Sequence, residues 1–275
     1  MAKRRNREWG FTLLGLMVAM GIFLVICAVM FELLDMSQKK YSSETQLTAA
    51  FQDARLAVDQ ITRDFNVAGY PPSGIYSVLP VSRPWRYATG PVAWSPNYPT
   101  TDCQIGVSCL TPGDYDLIIE TRLSTDPLTG PVHVSWIWYH LDTTTDPNAP
   151  ALMRTVVRKN FGDPLAIVQA SNEATLLVAN VLNNPTDPAQ LAQIKAEYPS
   201  MYPLGLAQPI FQYTCDTPSG PLPCTSPLAV GYNTPRNIRD VNITLIVATP
   251  RRDTQTQMYK LVELSGRGHR LNPDI

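Results

Sequence analysis

The chain has 275 residues and is nearly neutral, with 22 Lys+Arg against 23 Asp+Glu. That balance lacks the basic face of a general nucleic-acid binder, so no nucleic-acid partner is expected. All 25 prolines fall from Pro71 onward. Proline inside a helix costs about 3 kcal/mol, so residues 1–70 are free to be one continuous helix and the remainder cannot be mainly long helices.

The first ten residues carry Lys3, Arg4, Arg5 and Arg7 against the single acid Glu8. Without them the chain is mildly acidic, at about net −4. Residues 11–31 (FTLLGLMVAMGIFLVICAVMF) form a run of 21 without a charge, and about 20 residues suffice to cross a hydrocarbon core ~30 Å thick. The preceding basic residues hold that end in the cytoplasm by the positive-inside rule. A cleaved signal peptide ends in a small-residue site after a shorter apolar core. Here the run continues through Glu32, Leu33 and Leu34 into an amphipathic stretch, so the segment is predicted to be retained, with 11–34 in the membrane.

Trp9-Gly10-Phe11-Thr12-Leu13-Leu14, followed by Leu16-Met17-Val18, resembles the class III signal of type IV prepilins and type II secretion pseudopilins. The resemblance implies that 1–10 is a cytoplasmic leader cut by a prepilin peptidase between Gly10 and Phe11, and that Phe11 is then N-methylated. It also implies an α+β, pilin-like fold: a long N-terminal helix, half transmembrane and half amphipathic, on an antiparallel β-sheet domain. One position departs from the pattern. The fifth residue after the cut is usually Glu in that family, and here it is Gly15. That carboxylate is thought to pair with the N-terminal amine of a neighbouring subunit. A subunit without it is a poor repeating major pilin, because a buried amine needs a partner. Glycine there resembles the tip subunit of secretion pseudopili.

Beyond the membrane, Leu47, Phe51, Ala54, Val58, Ile61 and Phe65 make an apolar stripe at helical spacing. Asp53, Arg55, Asp59, Arg63 and Asp64 take the other sides, with Asp59 and Arg63 at i, i+4. Gly69 offers a C-terminal cap, and Pro71-Pro72 cannot continue a helix. A helix over 11–68 would be roughly 85 Å long at 1.5 Å per residue, its 35–70 half packed on the chain's own sheet. Residues 52–70 (QDARLAVDQITRDFNVAGY) resemble minor pilins of the PilW kind and their relative, the type II secretion minor pseudopilin J; the ending 241–272 does so more loosely.

The exported part, 71–275, is predicted as a Pro-rich β-domain. Strands are expected at 116–122, 132–141, 152–158, 210–214, 241–249 and 257–264, in one antiparallel sheet. A turn is expected at Asp126-Pro127, and another at 251–254 between the last two strands. Asp187 and Pro188 are read as the N-cap and first residue of a short helix. Residues 70–113, rich in Pro, Tyr and Trp, are expected to form a long surface loop available for interaction. The close pairs Cys103/Cys109 and Cys215/Cys224 are expected in Pro/Gly/Thr-rich loops and read as local disulfides, with free structural thiols or metal ligation as the alternatives; Cys27 lies in the apolar run.

No catalytic constellation stands out. His133 and His140, seven apart on one expected strand, face opposite sides, and Gly266-Arg267-Gly268-His269 reads as terminal loop. The 142–146 run (DTTTD) lacks the alternation of a calcium loop. Trp136 and Trp138 read as core. Arg251, Arg252, Arg236 and Arg239 are the only hint of a basic patch. The expectation is a structural protein without metal or cofactor, not an enzyme. It would be a minor type IV pilin of a tip or initiation complex, anchored in the inner membrane and then carried in the fibre. Its partners would be other minor and major pilins through the N-terminal helix. A type II secretion minor pseudopilin and a tip adhesin are the alternatives.

Overall fold

The proline-free segment forms one 54-residue helix, α1 (Leu13–Asn66), in a computed structural model that describes residues 13–76, 84–123, 133–147, 149–185, 188–253 and 256–271. The helix stops where glycine permits it. Gly69 adopts φ 79°, the left-handed conformation that closes helix C-termini, and its N–H donates to Glu120 O at 2.8 Å. The chain divides into two compact units, Met1–Gln46 and Leu47–Ile275.

In the second unit α1 buries Ala50, Ala54, Ala57, Val58, Ile61, Asp64 and Phe65. This face differs from the predicted stripe in two ways. Phe51 is 41% exposed, because the alanines at 50, 54 and 57 set the line of closest approach. Asp64, expected on a polar side, points inward. The ion pair on the outer face joins Arg55 to Asp59 at 4.0 Å.

The strands form two antiparallel sheets where one was expected. The first is a meander of β1 (Val92–Ala93), β2 (Asp116–Thr121), β3 (Ser135–Asp142), β4 (Ala151–Arg158) and β5 (Thr175–Val178). Its centre is covered on both faces. Leu117, Ile119, Ile137 and Tyr139 join the core beneath α1, while Ile118, Trp136 and Trp138 meet Ala93, Trp94, Tyr98 and Val168 on the reverse. Two covered faces explain the near-continuous apolar run of β2, since alternation is needed only where one face is wet. They also correct the reading of 70–113 as surface loop: Val92, Ala93, Trp94 and Tyr98 are buried, because that segment is the lid of the second core. The short helix α2 (Pro164–Gln169) completes the lid. Its cap Asp163 accepts from Leu165 N through Oδ1, and Ser95 Oγ donates to Oδ2 at 2.8 Å.

The second sheet runs β7 (Gly220–Pro223), β6 (Phe211–Thr217), β8 (Ile238–Ala248), β9 (Leu261–His269). Strand β9 sits four to five residues later than expected, and residues 266–269 belong to it rather than to a loop. The glycines are the reason. A Cβ on Gly266 would lie 2.3 Å from Val58 Cγ1, and one on Gly268 2.9 Å from Phe65 Cβ, so their absence lets the strand lie flush against α1. Sequence alone reads Gly-x-Gly as flexible; here it marks close approach. The link from β8 to β9 is longer than a tight turn at 251–254, closing through Asp253 N to Met258 O at 2.7 Å; Thr254 is outside the described residues. Helix α3 (Pro188–Glu197) covers the far face of this sheet with Ile194, against Leu182, Ile246, Ala248 and Leu261. The Asp187 cap, the Asp126-Pro127 turn and Val132 lie outside the described residues.

Candidate functional site

Two regions carry what the sequence marked as functional: the apolar stretch of α1 and the two cysteine-bearing segments of the β-domain. In the unit Met1–Gln46, every large apolar side chain from Leu13 to Leu34 is exposed, Leu13 at 77% and Phe31 at 71%. A soluble helix hides such residues, so this surface is made for lipid or for other apolar helices. The helix is long and apolar enough to cross a membrane. The first charges after the run are Glu32 and Asp35, and Asp35 accepts from Lys39 Nζ at 2.5 Å. Gly15 stands in the first turn of α1, where no carboxylate interrupts the apolar surface. Gly10 and Phe11 lie outside the described residues.

Both cysteine pairs stand at disulfide distance, Cys103–Cys109 and Cys215–Cys224, each with Cα atoms 5.0 Å apart. Cys27 is free. Cys215 is not in a loop, as its Pro/Thr neighbours suggested, but in β6 and fully buried. Its bridge to Cys224 braces the β6–β7 hairpin. Ile105 N donates to Asn233 O at 2.8 Å, so the first bridged loop rests against the segment that follows the second bridge.

Three polar networks, which sequence reasoning did not anticipate, hold the β-domain in register. Asp64 accepts from Tyr139 Oη at 2.5 Å, Arg154 Nη2 at 2.9 Å and Gln60 Nε2 at 2.9 Å, tying α1 to β3 and β4. Burial pushes the Tyr139 hydroxyl well above its ordinary range, and the Asp64 charge adds to the effect, so it stays a donor. In the second core, Glu120 accepts from Lys159 Nζ at 3.0 Å, Trp136 Nε1 at 3.1 Å, Thr89 N at 2.6 Å and Tyr98 Oη. Burial pulls the Lys159 ammonium below its usual range while Glu120 opposes it. Lys159 also donates to Tyr87 O and Thr89 Oγ1, so all three of its protons are used. Third, Asp240 accepts from Arg267 Nη2 at 2.7 Å and pairs with His269 Nδ1 at 2.6 Å. Burial works to raise the Asp240 carboxyl, but these two partners outweigh it and hold it low.

The remaining sequence candidates resolve into structural parts. Arg236 pairs with Asp102 at 2.8 Å and lies over Trp94, and Arg239 pairs with Asp216 at 3.3 Å, so these arginines are neutralised rather than grouped as a basic patch. Asp142 accepts from the backbone and side chains of Thr144 and Thr145, which closes the DTTTD turn on itself. Trp136 and Trp138 are core. His140 stacks on Trp138 with ring centroids 3.6 Å apart, and burial lowers its pKa to about 4. His133 precedes β3 rather than sharing it. The one available signal for the missed networks was Glu120 itself, a carboxylate inside an apolar run that obliges a buried cation nearby.

Residues 5–31 match the family model described as the prokaryotic N-terminal methylation motif. The chain carries a prepilin-type N-terminus. With the long apolar helix and the antiparallel sheets behind it, the motif supports a type IV pilin-like protein, processed by a prepilin peptidase and associating with other pilins. No curated protein and no solved structure matches the chain.

Proposed function

We propose that this chain is a minor type IV pilin that acts in fibre assembly, in a tip or initiation complex, as a structural subunit and not an enzyme. The observation that carries this reading is the methylation motif at 5–31 with Gly15 in the place usually held by Glu. The subunit waits in the inner membrane on its apolar helix with the β-domain exported. Leader removal after Gly10 exposes the amine of Phe11. On extraction, the exposed apolar side chains of 13–34 exchange lipid for the helices of neighbouring subunits, which preserves their burial from water. The Phe11 amine can pair with the carboxylate of a different minor pilin. Gly15 supplies no carboxylate for a subunit added above, and at a tip none is needed.

Mass spectrometry of sheared surface fibres tests this. The N-terminal peptide is expected to begin at methylated Phe11, at a few copies per fibre, and Gly10→Ile is expected to leave the precursor uncut. An intact Met1 leader in assembled fibres would overturn the reading. Gly15→Glu places a carboxylate in apolar surroundings, a cost of several kcal/mol without an amine in reach, so incorporation should hold or fall. A clear rise on immunoblots would place the subunit within the shaft. A deletion strain that keeps its fibres but loses protein secretion would assign the chain to a type II pseudopilus instead.

A further inference from the structure

Beside the Glu120–Lys159 network the β-domain has a concave pocket of about 400 Å³, within the range of small-molecule sites, about 300–1,000 Å³. It is lined by the aromatic residues Tyr87, Tyr98 and Phe161 and by Pro99, with Lys159 Nζ 5.4 and 5.5 Å from the ring centroids of Tyr87 and Tyr98. Tyr98 is immobilised edge-on against Trp94 and Trp136, with centroids 4.8 and 5.7 Å away. Phe161 is 60% exposed, yet it is held in place. Trp85 meets its ring edge at 6.0 Å, its N–H donates to Asn160 Oδ1 at 2.9 Å, and the turn is completed by Gly162 at φ 106°. An aromatic ring kept in water and braced from the side gains nothing for the core, and it offers a flat apolar face to a ligand.

The polar groups of the pocket define what that ligand can be. Both lining cations already have their counter-charges: Lys159 has Glu120, and Arg236 has Asp102. The site therefore presents no net charge for an anion to neutralise, and among the described residues that line it there is no carboxylate for a cation. What it offers is hydrogen-bonding capacity without charge. Ser73 brings a hydroxyl and Asn160 an amide, while the Thr89 hydroxyl is already engaged by Lys159 and Tyr98. Arg236 has five N–H groups, two of which are committed, to Asp102 and to Pro99 O. Flat aromatic faces plus a ring of neutral donors and acceptors match a molecule with one C–H face and a hydroxylated edge.

We propose that this pocket binds a neutral saccharide ring, its C–H face on Phe161 and Tyr87 and its hydroxyls toward Asn160, Arg236 and Ser73. The full chain, purified in detergent, would be examined by saturation-transfer NMR with D-glucose, D-galactose, D-mannose and N-acetyl-D-glucosamine, and with N-acetylneuraminic acid as the charged counterpart. Transfer to ring C–H protons of at least one neutral sugar is expected. Phe161→Ala, at an exposed site that should not disturb folding, is expected to weaken binding about tenfold or more, the scale of a lost aromatic contact, and Phe161→Trp to retain it. Binding to none of the neutral sugars, binding to the acidic sugar alone, or equal binding by wild type and Phe161→Ala would each overturn the proposal. Leader cleavage and fibre incorporation of Phe161→Ala, expected to be unchanged, keep its failure distinct from failure of the assembly reading.

Discussion

Two stretches of the same helix obey opposite rules. Between Leu13 and Leu34, α1 shows large apolar side chains on every side, all of them exposed. Between Ala50 and Phe65 its hidden face is built from three alanines, Val58, Ile61 and Phe65, with one acid, Asp64, among them. The first stretch is apolar without direction, which suits a solvent or a ring of neighbours that surrounds it. The second is narrow and directional because one partner, the chain's own sheets, approaches from one side. The difference teaches that the same secondary structure carries two interfaces with different customers: one outside the molecule and one within it.

Substitutions can break that comparison. Ile61→Ala should destabilise the β-domain by about 2–5 kcal/mol, the usual cost of truncating a fully buried aliphatic, read as a fall in the thermal midpoint of the full chain in detergent. Leu24→Ala should leave the same midpoint within about 0.5 kcal/mol; a comparable fall in both would show that the two stretches are not independent. Asp64→Ala should cost about 3 kcal/mol, because Arg154 and Tyr139 are left without their acceptor. A neutral result would mean that water replaces the carboxylate there.

Gly266→Ala sharpens the geometry. The added Cβ at 2.3 Å from Val58 forces strand from helix, and overpacking of this kind costs about 1–3 kcal/mol. Pairing it with Val58→Ala should recover part of the loss. If the double variant is no better than the sum of the singles, the two side chains do not meet.

The smallest expected effect concerns pH. His140, with its folded pKa lowered to about 4 by burial, stays neutral in the folded domain while the unfolded chain takes up a proton below about 6.5. The unfolded state binds more protons in that window, so His140 should lower stability as pH falls from about 6.5 toward 4. His140→Phe, which keeps a ring on Trp138, should gain more at pH 5 than at pH 7.5. Equal gains at both pH values would show that the imidazole takes up its proton as readily in the fold as in the unfolded chain.

Elements with a local cause were legible in advance. The absence of proline before Pro71, the glycine at 69 and the uncharged run from 11 to 31 are statements about backbone freedom and desolvation that need no partner. They determined the long helix, its end, its membrane-compatible stretch and the motif at the N-terminus. Strands β2, β3, β4, β6 and β8 were readable for a similar reason, since their β-branched and aromatic residues favour extended chain wherever they pack.

What the tertiary structure decided depends on residues far apart in the chain. That Asp64 turns inward is fixed by Arg154, ninety positions on; that Glu120 can be buried is fixed by Lys159. The glycines of 266–269 became strand because α1 presses on them, and residues 92–98 became core because the first sheet has a second apolar face to cover. Neither fact is written in the segment itself. Local sequence sets what backbone and side chain tolerate, while burial is decided by whichever distant surface arrives, and for Asp64, Gly266 and Trp94 that surface is supplied by the fold.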